Sequence, residues 1–220
     1  MANGTASQGS APDIGACFNT GLERFKPYMG ILIGITLVAL LLLIGLGTLT
    51  RTSWILGTIA SIAVTSPIFL GLMRVYRTAY RGSQPAFNQL FSGFQEYVPV
   101  VISGAAYVLI IQFVGLLPRF LGIMGALLSL LLTLAVSGLL VYWPLVYDDG
   151  KKEGIDAVLG SKDVAQPFLI QSVVTVFVMG LVGLIGLGVL TGPIAGMGII
   201  HAYETMKGSQ GAESPSSASE

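Results

Sequence analysis

Long uncharged stretches alternate with short charged segments along most of this 220-residue chain. A helix needs about 20 apolar residues to cross the hydrocarbon core of a bilayer. Four stretches carry no charged side chain and have the length of one span each, namely residues 28–50, 52–73, 97–118 and 120–147. A fifth stretch, residues 164–202, contains His201 as its one titratable group and is too long for a single span.

The fifth stretch predicts two short spans joined by a tight turn, for which Gly183, Gly186 and Gly188 are suited. One long kinked helix with a re-entrant end is the alternative. Together the five stretches predict an all-α fold, a polytopic transmembrane helical bundle of about six spans. Residues 12–207 form this single transmembrane domain. The small, polar residues 1–11 and 208–220 are predicted to be disordered tails.

A weak threefold repeat runs through the transmembrane domain, with units at about 12–78, 79–150 and 151–207. Each unit opens with a short amphipathic stretch that ends at a proline, and the three prolines are Pro27, Pro99 and Pro167. In the order of the three prolines, the residue nine positions before the proline is Phe18, Leu90 or Val158. The residue six positions before it is small, namely Gly21, Gly93 or Ser161. The residue two positions before it is Phe25, Tyr97 or Ala165.

Proline is tolerated in the first turn of a helix, where its missing N–H makes no difference. We therefore predict that each proline marks the start of a span. Each unit would then consist of an interfacial amphipathic helix followed by a transmembrane hairpin. Chance similarity among glycine-rich apolar helices is the competing explanation.

The basic residues predict an orientation. Nine of the eleven lie at one end of the predicted spans: Arg24, Lys26, Arg74, Arg77, Arg81, Lys151, Lys152, Lys162 and Lys207. Arg51 and Arg119 lie at the other end. Because cytoplasmic loops are enriched in lysine and arginine, both termini are predicted to be cytoplasmic. The expected location is a bacterial cytoplasmic (inner) membrane.

Composition narrows the class of protein further. Hydrophobic residues make up 53% of the chain and charged residues 10%, against about 25% charged residues in soluble domains. The net charge is zero, so nothing indicates nucleic-acid binding. Cys17 and His201 are the single cysteine and histidine. Neither a cysteine-based nor a poly-histidine metal site is therefore expected, and no cofactor is expected.

Residues 1–27 lack the apolar run of a cleavable signal peptide, so the first span is expected to be an uncleaved insertion signal.

Few residues in the spans suggest chemistry. Gln112 and Gln171 are the strongly polar residues expected at membrane depth, and their ordinary role is a hydrogen bond between helices. Coupled transport of protons or sodium is not expected, since it needs ionisable groups near the midplane. The run from Asp148 to Glu153 lacks the ligand spacing of a calcium loop. It is interpreted as a solvated turn that caps the fourth span.

Seven glycines are predicted to lie on helix-packing faces, because small residues let helices approach closely. They are Gly30, Gly34, Gly180, Gly183, Gly186, Gly192 and Gly196. The sequence is consistent with two uses of these faces: packing within the chain and contact with a second chain.

Two segments resemble a loose group of bacterial membrane proteins. They are GLGVLTGPIAGMGIIHAY, from Gly186, and IDAVLGSKDVAQPFL, from Ile155. The group comprises uncharacterised six-span membrane proteins and the membrane domain attached to some glycerophosphodiester phosphodiesterases. The resemblance spans residues 12–206. It implies a fold and no activity, because the ligands of the fused hydrolase domain have no counterpart among these residues.

These features favour a non-catalytic integral membrane protein. We expect a structural, scaffolding or accessory subunit of a membrane assembly, whose partners are the lipid bilayer and other membrane chains or a second copy of itself. A transport or lipid-handling protein is the first alternative. A membrane enzyme is the second, since the spans lack a cluster of acid, base and nucleophile. A lipid-sized cavity would favour the first alternative, and a large flat apolar contact with another chain would favour the accessory subunit.

Overall fold

The computed structural model describes residues 11–49, 54–116, 122–150, 154–185 and 188–212. Within these ranges the chain forms α-helices, short 3-10 helices and turns, and no strand, so the predicted all-α class is confirmed. The α-helices are α1 (Ile14–Phe25), α2 (Met29–Leu49), α3 (Trp54–Tyr80), α4 (Tyr97–Leu116), α5 (Gly122–Leu140), α6 (Trp143–Asp148), α7 (Ile155–Ala165), α8 (Leu169–Ile185) and α9 (Gly192–Ala212). The 3-10 helices are Lys26–Tyr28, Phe87–Phe94 and Gln166–Phe168.

Five helical segments of the described chain are long and apolar enough to cross a membrane. They are Ile14–Thr48, Gly57–Tyr80, Tyr97–Leu116, Gly122–Asp148 and Ile155–Gly183. The chain is therefore a multi-pass helical membrane protein. The sixth predicted span corresponds to α9, which falls short of this hydropathy because polar and charged residues fill its second half, from His201 onward.

Helix α9 packs inside the bundle against α1, α3 and α8. Its side chains Met197, Ile200 and Met206 are fully buried. A turn at residues 188–191 separates it from α8, and Gly188 adopts the positive φ of 72° that this turn requires. The alternative of one long kinked helix is therefore wrong.

The C-terminal tail begins later than predicted. Helix α9 continues to Ala212, five residues past the expected boundary at residue 208. Ser209 is buried, and its hydroxyl donates to the Thr205 carbonyl at 3.1 Å, which keeps this last turn packed. The remaining predicted tail residues, 1–10 and 213–220, lie outside the described ranges, as does Gly186.

Each of the three repeat prolines lies where a short helix passes into a long one. Pro27 lies in the 3-10 helix between α1 and α2, and Pro167 lies in the 3-10 helix between α7 and α8. Pro99 is the third residue of α4, just after the Phe87–Phe94 helix. Pro27 and Pro167 are each the second residue of their 3-10 helix, and Pro99 lies in the first turn of α4, where proline is tolerated.

The three short helices close the bundle into a ring. Each packs on the end of the preceding unit: Phe87–Phe94 on α3, α7 on α6, and α1 on α9. The small residue six positions before each proline lies at this contact. A Cβ on Gly21 would come within 2.5 Å of the Ile194 carbonyl oxygen, and a Cβ on Gly93 within 2.2 Å of that of Pro67. Ser161 instead donates to the Leu139 carbonyl at 2.7 Å.

The residue nine positions before the proline is buried in only two of the three units. Leu90 and Val158 are fully buried, whereas Phe18 is 37% exposed and its neighbour Cys17 is buried. Helix type does not account for this difference, because α1 and α7 are both α-helices, yet Val158 is buried and Phe18 is not.

Candidate functional site

Eight ionisable side chains meet at one end of the bundle, called here the charged end. They are Arg74, Arg77, Arg81, Glu96, Asp148, Asp149, Glu204 and Lys207, called here the charged cluster. The cluster joins α3, the start of α4, the end of α6 and the second half of α9. It therefore contains side chains from all three repeat units.

Arg77 is the centre of the cluster, since its side chain is only 4% exposed. Its Nη2 donates to Asp149 at 2.7 Å and to Glu204 at 2.8 Å. Its Nη1 donates to Asp148 at 3.4 Å. A buried guanidinium is tolerated only when carboxylates compensate for its lost hydration, and Arg77 has three of them.

Arg74 holds the start of α4 against α6. Its Nε donates to Asp148 at 2.8 Å, and its Nη2 donates to Glu96 at 2.9 Å. The Tyr147 hydroxyl also donates to Glu96, at 2.9 Å. Partial burial acts to raise the pKa of Glu96, but the hydrogen bonds from Arg74 and Tyr147 outweigh it and leave that pKa below its ordinary value.

Asp149 is the acceptor shared by α3 and α9. It accepts hydrogen bonds from Arg77, from the Tyr203 hydroxyl at 2.7 Å and from Lys207. Burial acts to raise the pKa of Asp149, but the bonds from Lys207, Tyr203 and Arg77 lower it to about 2. The carboxylate is therefore ionised throughout the physiological pH range.

The interpretation of Asp148 and Asp149 as part of a solvated turn is wrong. Both carboxylates face the bundle, because α6 folds back on α3 and brings them to Arg74 and Arg77. The following residues of that run, 151–153, lie outside the described ranges. Each carboxylate of the charged cluster is held by at least one basic side chain, which indicates a role in fixing helix ends.

A cavity of about 490 Å³ lies between α3 and α4, with Trp143 of α6 as its floor. Ligand sites in proteins generally have volumes of about 300–1,000 Å³. The walls are a mixture of apolar and hydroxyl-bearing residues: Thr58, Ser61, Ile62, Thr65, Ser66, Phe69, Gly104, Tyr107, Val108, Gln112 and Trp143. Such a lining matches a molecule that has an apolar body and a small number of polar atoms.

Several polar groups of the lining have no partner within the part of the chain that the structure describes. The structure gives no hydrogen bond to the hydroxyls of Ser61 and Thr65, which lie on one face of α3. The indole Nε1 of Trp143 is buried and also lacks a partner among the described residues, although the side chain is only 1% exposed. Buried donors of this kind are uncommon in proteins unless water or a ligand accepts from them.

The glycine in the cavity wall marks a close contact between α3 and α4. Five positions after the proline stand Leu32 in the first unit, Gly104 in the second and Ser172 in the third. Leu32 and Ser172 are fully buried in their junctions. Gly104 lets α4 approach α3 beside the cavity, since a Cβ there would lie only 1.8 Å from the Ser66 hydroxyl.

The two intramembrane glutamines do not face protein, contrary to expectation. Gln112 and Gln171 are both exposed on the outside of the bundle, and neither makes a hydrogen bond to another described residue. Gln171 lies in the first turn of α8, and Gln112 lies four residues from the last residue of α4. Near a helix end a polar side chain can reach the headgroup region, so neither glutamine needs a partner helix. Gln112 also lines the rim of the cavity.

The predicted packing glycines divide into two groups. A Cβ on Gly196 would come within 2.3 Å of the Tyr76 ring, and a Cβ on Gly192 would be in ordinary contact with Thr36. Four others have nothing within 4 Å of such a Cβ, namely Gly30, Gly34, Gly180 and Gly183. Besides Gly196, close contacts are made by glycines that the sequence did not single out for helix packing, among them Gly71, Gly138 and Gly198.

Cys17 and His201 are both in contact with other protein groups, which is typical of residues with a structural role. Cys17 is fully buried where α1 packs on α9. His201 Nδ1 lies 3.0 Å from the Tyr80 hydroxyl. Across the part of the chain that the structure describes, histidine, cysteine, aspartate and glutamate form no group of three that could hold a metal ion.

Comparisons with protein-family models, with curated proteins and with solved structures give no match to this chain. The resemblance to the membrane domain of glycerophosphodiester phosphodiesterases therefore stays a prediction.

Proposed function

We propose that this protein binds a membrane amphiphile in the cavity between α3 and α4, and that it is a non-catalytic, lipid-handling membrane protein. The observation that carries the proposal is the cavity itself: it has the size of a ligand site and lies within two candidate spans. Ile62, Phe69 and Val108 offer contact to an apolar chain. Ser61 and Thr65 offer unpaired hydroxyls to its polar atoms.

The accessory-subunit role gains no comparable support. The exposed apolar side chains of the described helices fit lipid and a partner chain equally well. A cavity of this size was the feature expected to favour lipid handling. In the proposed orientation, the charged end faces the cytoplasm of a bacterial cell, following the excess of basic residues there.

Trp143 allows a direct test, because the chain has only two tryptophans. In a Trp54→Phe variant, all tryptophan fluorescence comes from Trp143. The variant is reconstituted in vesicles of phosphatidylcholine with brominated acyl chains, whose bromine atoms quench fluorescence on contact. Trp143 lines the cavity and is otherwise buried, so bromine atoms on an acyl chain in the cavity lie closer to it than those of lipid around the bundle. Strong quenching is expected if an acyl chain enters the cavity.

Filling the cavity should remove this quenching. Ser61→Phe places a ring inside the cavity, and Ile59→Phe is its matched control, since Ile59 lies on the same helix and is 61% exposed. A second variant, Ser66→Gly with Gly104→Leu, introduces the leucine that the first unit has at Leu32. Quenching lost in both filled variants and kept in Ile59→Phe supports the proposal. No quenching in the Trp54→Phe parent, or equal quenching in all variants, contradicts it.

A further inference from the structure

A second pocket lies at the charged end, between α3 and the Phe87–Phe94 helix. Its volume is about 240 Å³. The lining consists of Arg74, Arg77, Thr78, Arg81, Gln89, Ser92 and Asp148. Three guanidinium groups and one carboxylate line the pocket. Arg74 and Arg77 are also paired with Glu96, Asp149 and Glu204, so Arg81 is the guanidinium with the least compensation. The pocket is separate from the α3–α4 cavity, since no residue lines both.

We propose that this pocket binds a phosphate group, supplied either by the headgroup of a phospholipid or by free phosphate. The donors that remain unused in the structure carry the proposal. Arg77 is almost fully buried, yet its Nε has no partner among the described residues. Arg81 is 59% exposed and has a single loose ion pair, 3.7 Å from Glu204. A phosphate has three or more acceptor oxygens that such donors recognise.

The neutral side chains of the pocket are also suited to an anion. Gln89 uses its Oε1 to accept from the Ala86 N–H at 3.2 Å, which leaves its amide N–H groups as donors. Asp148 does not repel an anion strongly, because Arg74 and Arg77 already neutralise it. The donors that are open to the pocket therefore come from Arg81 and Gln89, whereas the unpaired Arg77 Nε is buried.

The two walls of the pocket, α3 and the Phe87–Phe94 helix, are held in close contact by glycines, so the pocket is rigid. A Cβ on Gly71 of α3 would lie 1.9 Å from the Leu90 carbonyl oxygen. A Cβ on Gly93 would lie 2.2 Å from the Pro67 carbonyl oxygen. The backbone of the Phe87–Phe94 helix is thus in direct contact with α3. A preformed site loses less entropy on binding than one that must be ordered.

The position of the pocket matches the headgroup layer of a bilayer. The outer face of its Phe87–Phe94 wall exposes Phe87, Phe91 and Phe94, and Tyr97 follows in stacked contact with Phe94. Aromatic side chains beside basic ones are typical of helices that lie in the membrane interface. The adjacent guanidinium groups are then at the depth of lipid phosphates.

The test uses the full-length protein in a neutral detergent and native mass spectrometry. Phosphatidylglycerol is one probe, phosphatidylcholine is the zwitterionic comparison, and inorganic phosphate is added as a competitor. We expect phosphatidylglycerol to bind more tightly than phosphatidylcholine. Arg81→Gln should weaken it about tenfold, the effect of losing one charge-assisted hydrogen bond. Arg24→Gln is the charge-matched control, since Arg24 lies near Gly82 at the same end but outside the pocket.

The competitor distinguishes the two sources of phosphate. Competition by inorganic phosphate, lost in Arg81→Gln, identifies a site for free phosphate; lipid binding without competition identifies a headgroup site. Equal weakening by Arg81→Gln and Arg24→Gln would show only general charge attraction and would overturn the proposal, as would equal affinity for the two lipids. Ser61→Phe should leave phosphatidylglycerol binding at the charged end unchanged. The result is thus independent of whether an amphiphile occupies the α3–α4 cavity.

Discussion

Arg77 and Glu204 are 127 residues apart in the sequence, and their side chains form a 2.8 Å hydrogen bond at the charged end of the bundle. This bond joins the first repeat unit to the third. Asp149 of the second unit also bonds Arg77. This polar hub, centred on Arg77, therefore links side chains of all three repeat units at the charged end.

Removal of Arg77 should destabilise the fold strongly. Arg77→Gln leaves Asp149 and Glu204 with less compensation for their charge, and breaking a buried ion pair from one side costs about 3 kcal/mol or more. Arg81→Gln is the control, because Arg81 is exposed and its pair with Glu204 is long; a change of about 0.5 kcal/mol or less is expected. Reversible unfolding in mixed detergent measures both. Similar losses in the two variants would contradict a central role for Arg77.

Acid should weaken the same hub. The pKa of Asp149 is lowered from 3.8 to about 2 in the folded protein. The ionised form is thus favoured by folding, so its contribution is fully present above pH 5 and is lost as the pH falls from about 4 to about 2, amounting to about 2 kcal/mol.

The matched variant for the pH experiment is Asp149→Asn. It should be less stable than the parent protein at pH 7, and the difference should shrink between pH 4 and pH 2. The lowered pKa of Glu96 adds a dependence of the same sign that both proteins share. Thermal unfolding at a series of pH values measures the difference. A constant gap between the two proteins would contradict the assignment to Asp149.

Close backbone contact, and not the GxxxG pattern, should decide which glycines matter. Gly93→Ala forces a Cβ against the Pro67 carbonyl, so we expect a loss of about 2 kcal/mol or more in the free energy of unfolding. Gly34→Ala meets nothing within 4 Å and should change it by less than 1 kcal/mol, with alanine favoured by helix propensity. A larger loss in Gly34→Ala than in Gly93→Ala would reverse this conclusion.

Local rules in the sequence predicted where the long helices start. They did not predict whether the short helix before each long helix is an α-helix or a 3-10 helix. Pro27, Pro99 and Pro167 obey a local steric rule, so their positions could be read from the chain. Whether the preceding helix is α or 3-10 depends on its packing. Packing also decides which residue is buried one turn before Gly21, and in α1 it is Cys17, in contrast to the predicted Phe18.

The charged cluster and the cavity depend on contacts that a single sequence does not display. Arg77 near the end of an apolar helix indicates that a carboxylate partner is needed. It does not indicate which carboxylates are the partners, because Asp149 and Glu204 are distant from Arg77 in the sequence. The cavity lies between α3 and α4, and the glycine in its wall, Gly104, is closely packed against Ser66, as Gly138 is against Val173. Only the positions of the neighbouring helices show where such close packing leaves an open space beside it.

The orientation of the bundle can be tested with two introduced cysteines. Ser83 lies exposed in the turn after α3 at the charged end, and Leu190 lies exposed in the turn before α9 at the other end. The background is Cys17→Ser, so that each variant carries one thiol. Basic residues concentrate at the charged end, so that end should be cytoplasmic. A membrane-impermeant maleimide should label Leu190→Cys in intact spheroplasts and label Ser83→Cys only after lysis. Labelling of Ser83→Cys without lysis would place the charged end, and both termini with it, outside the cell.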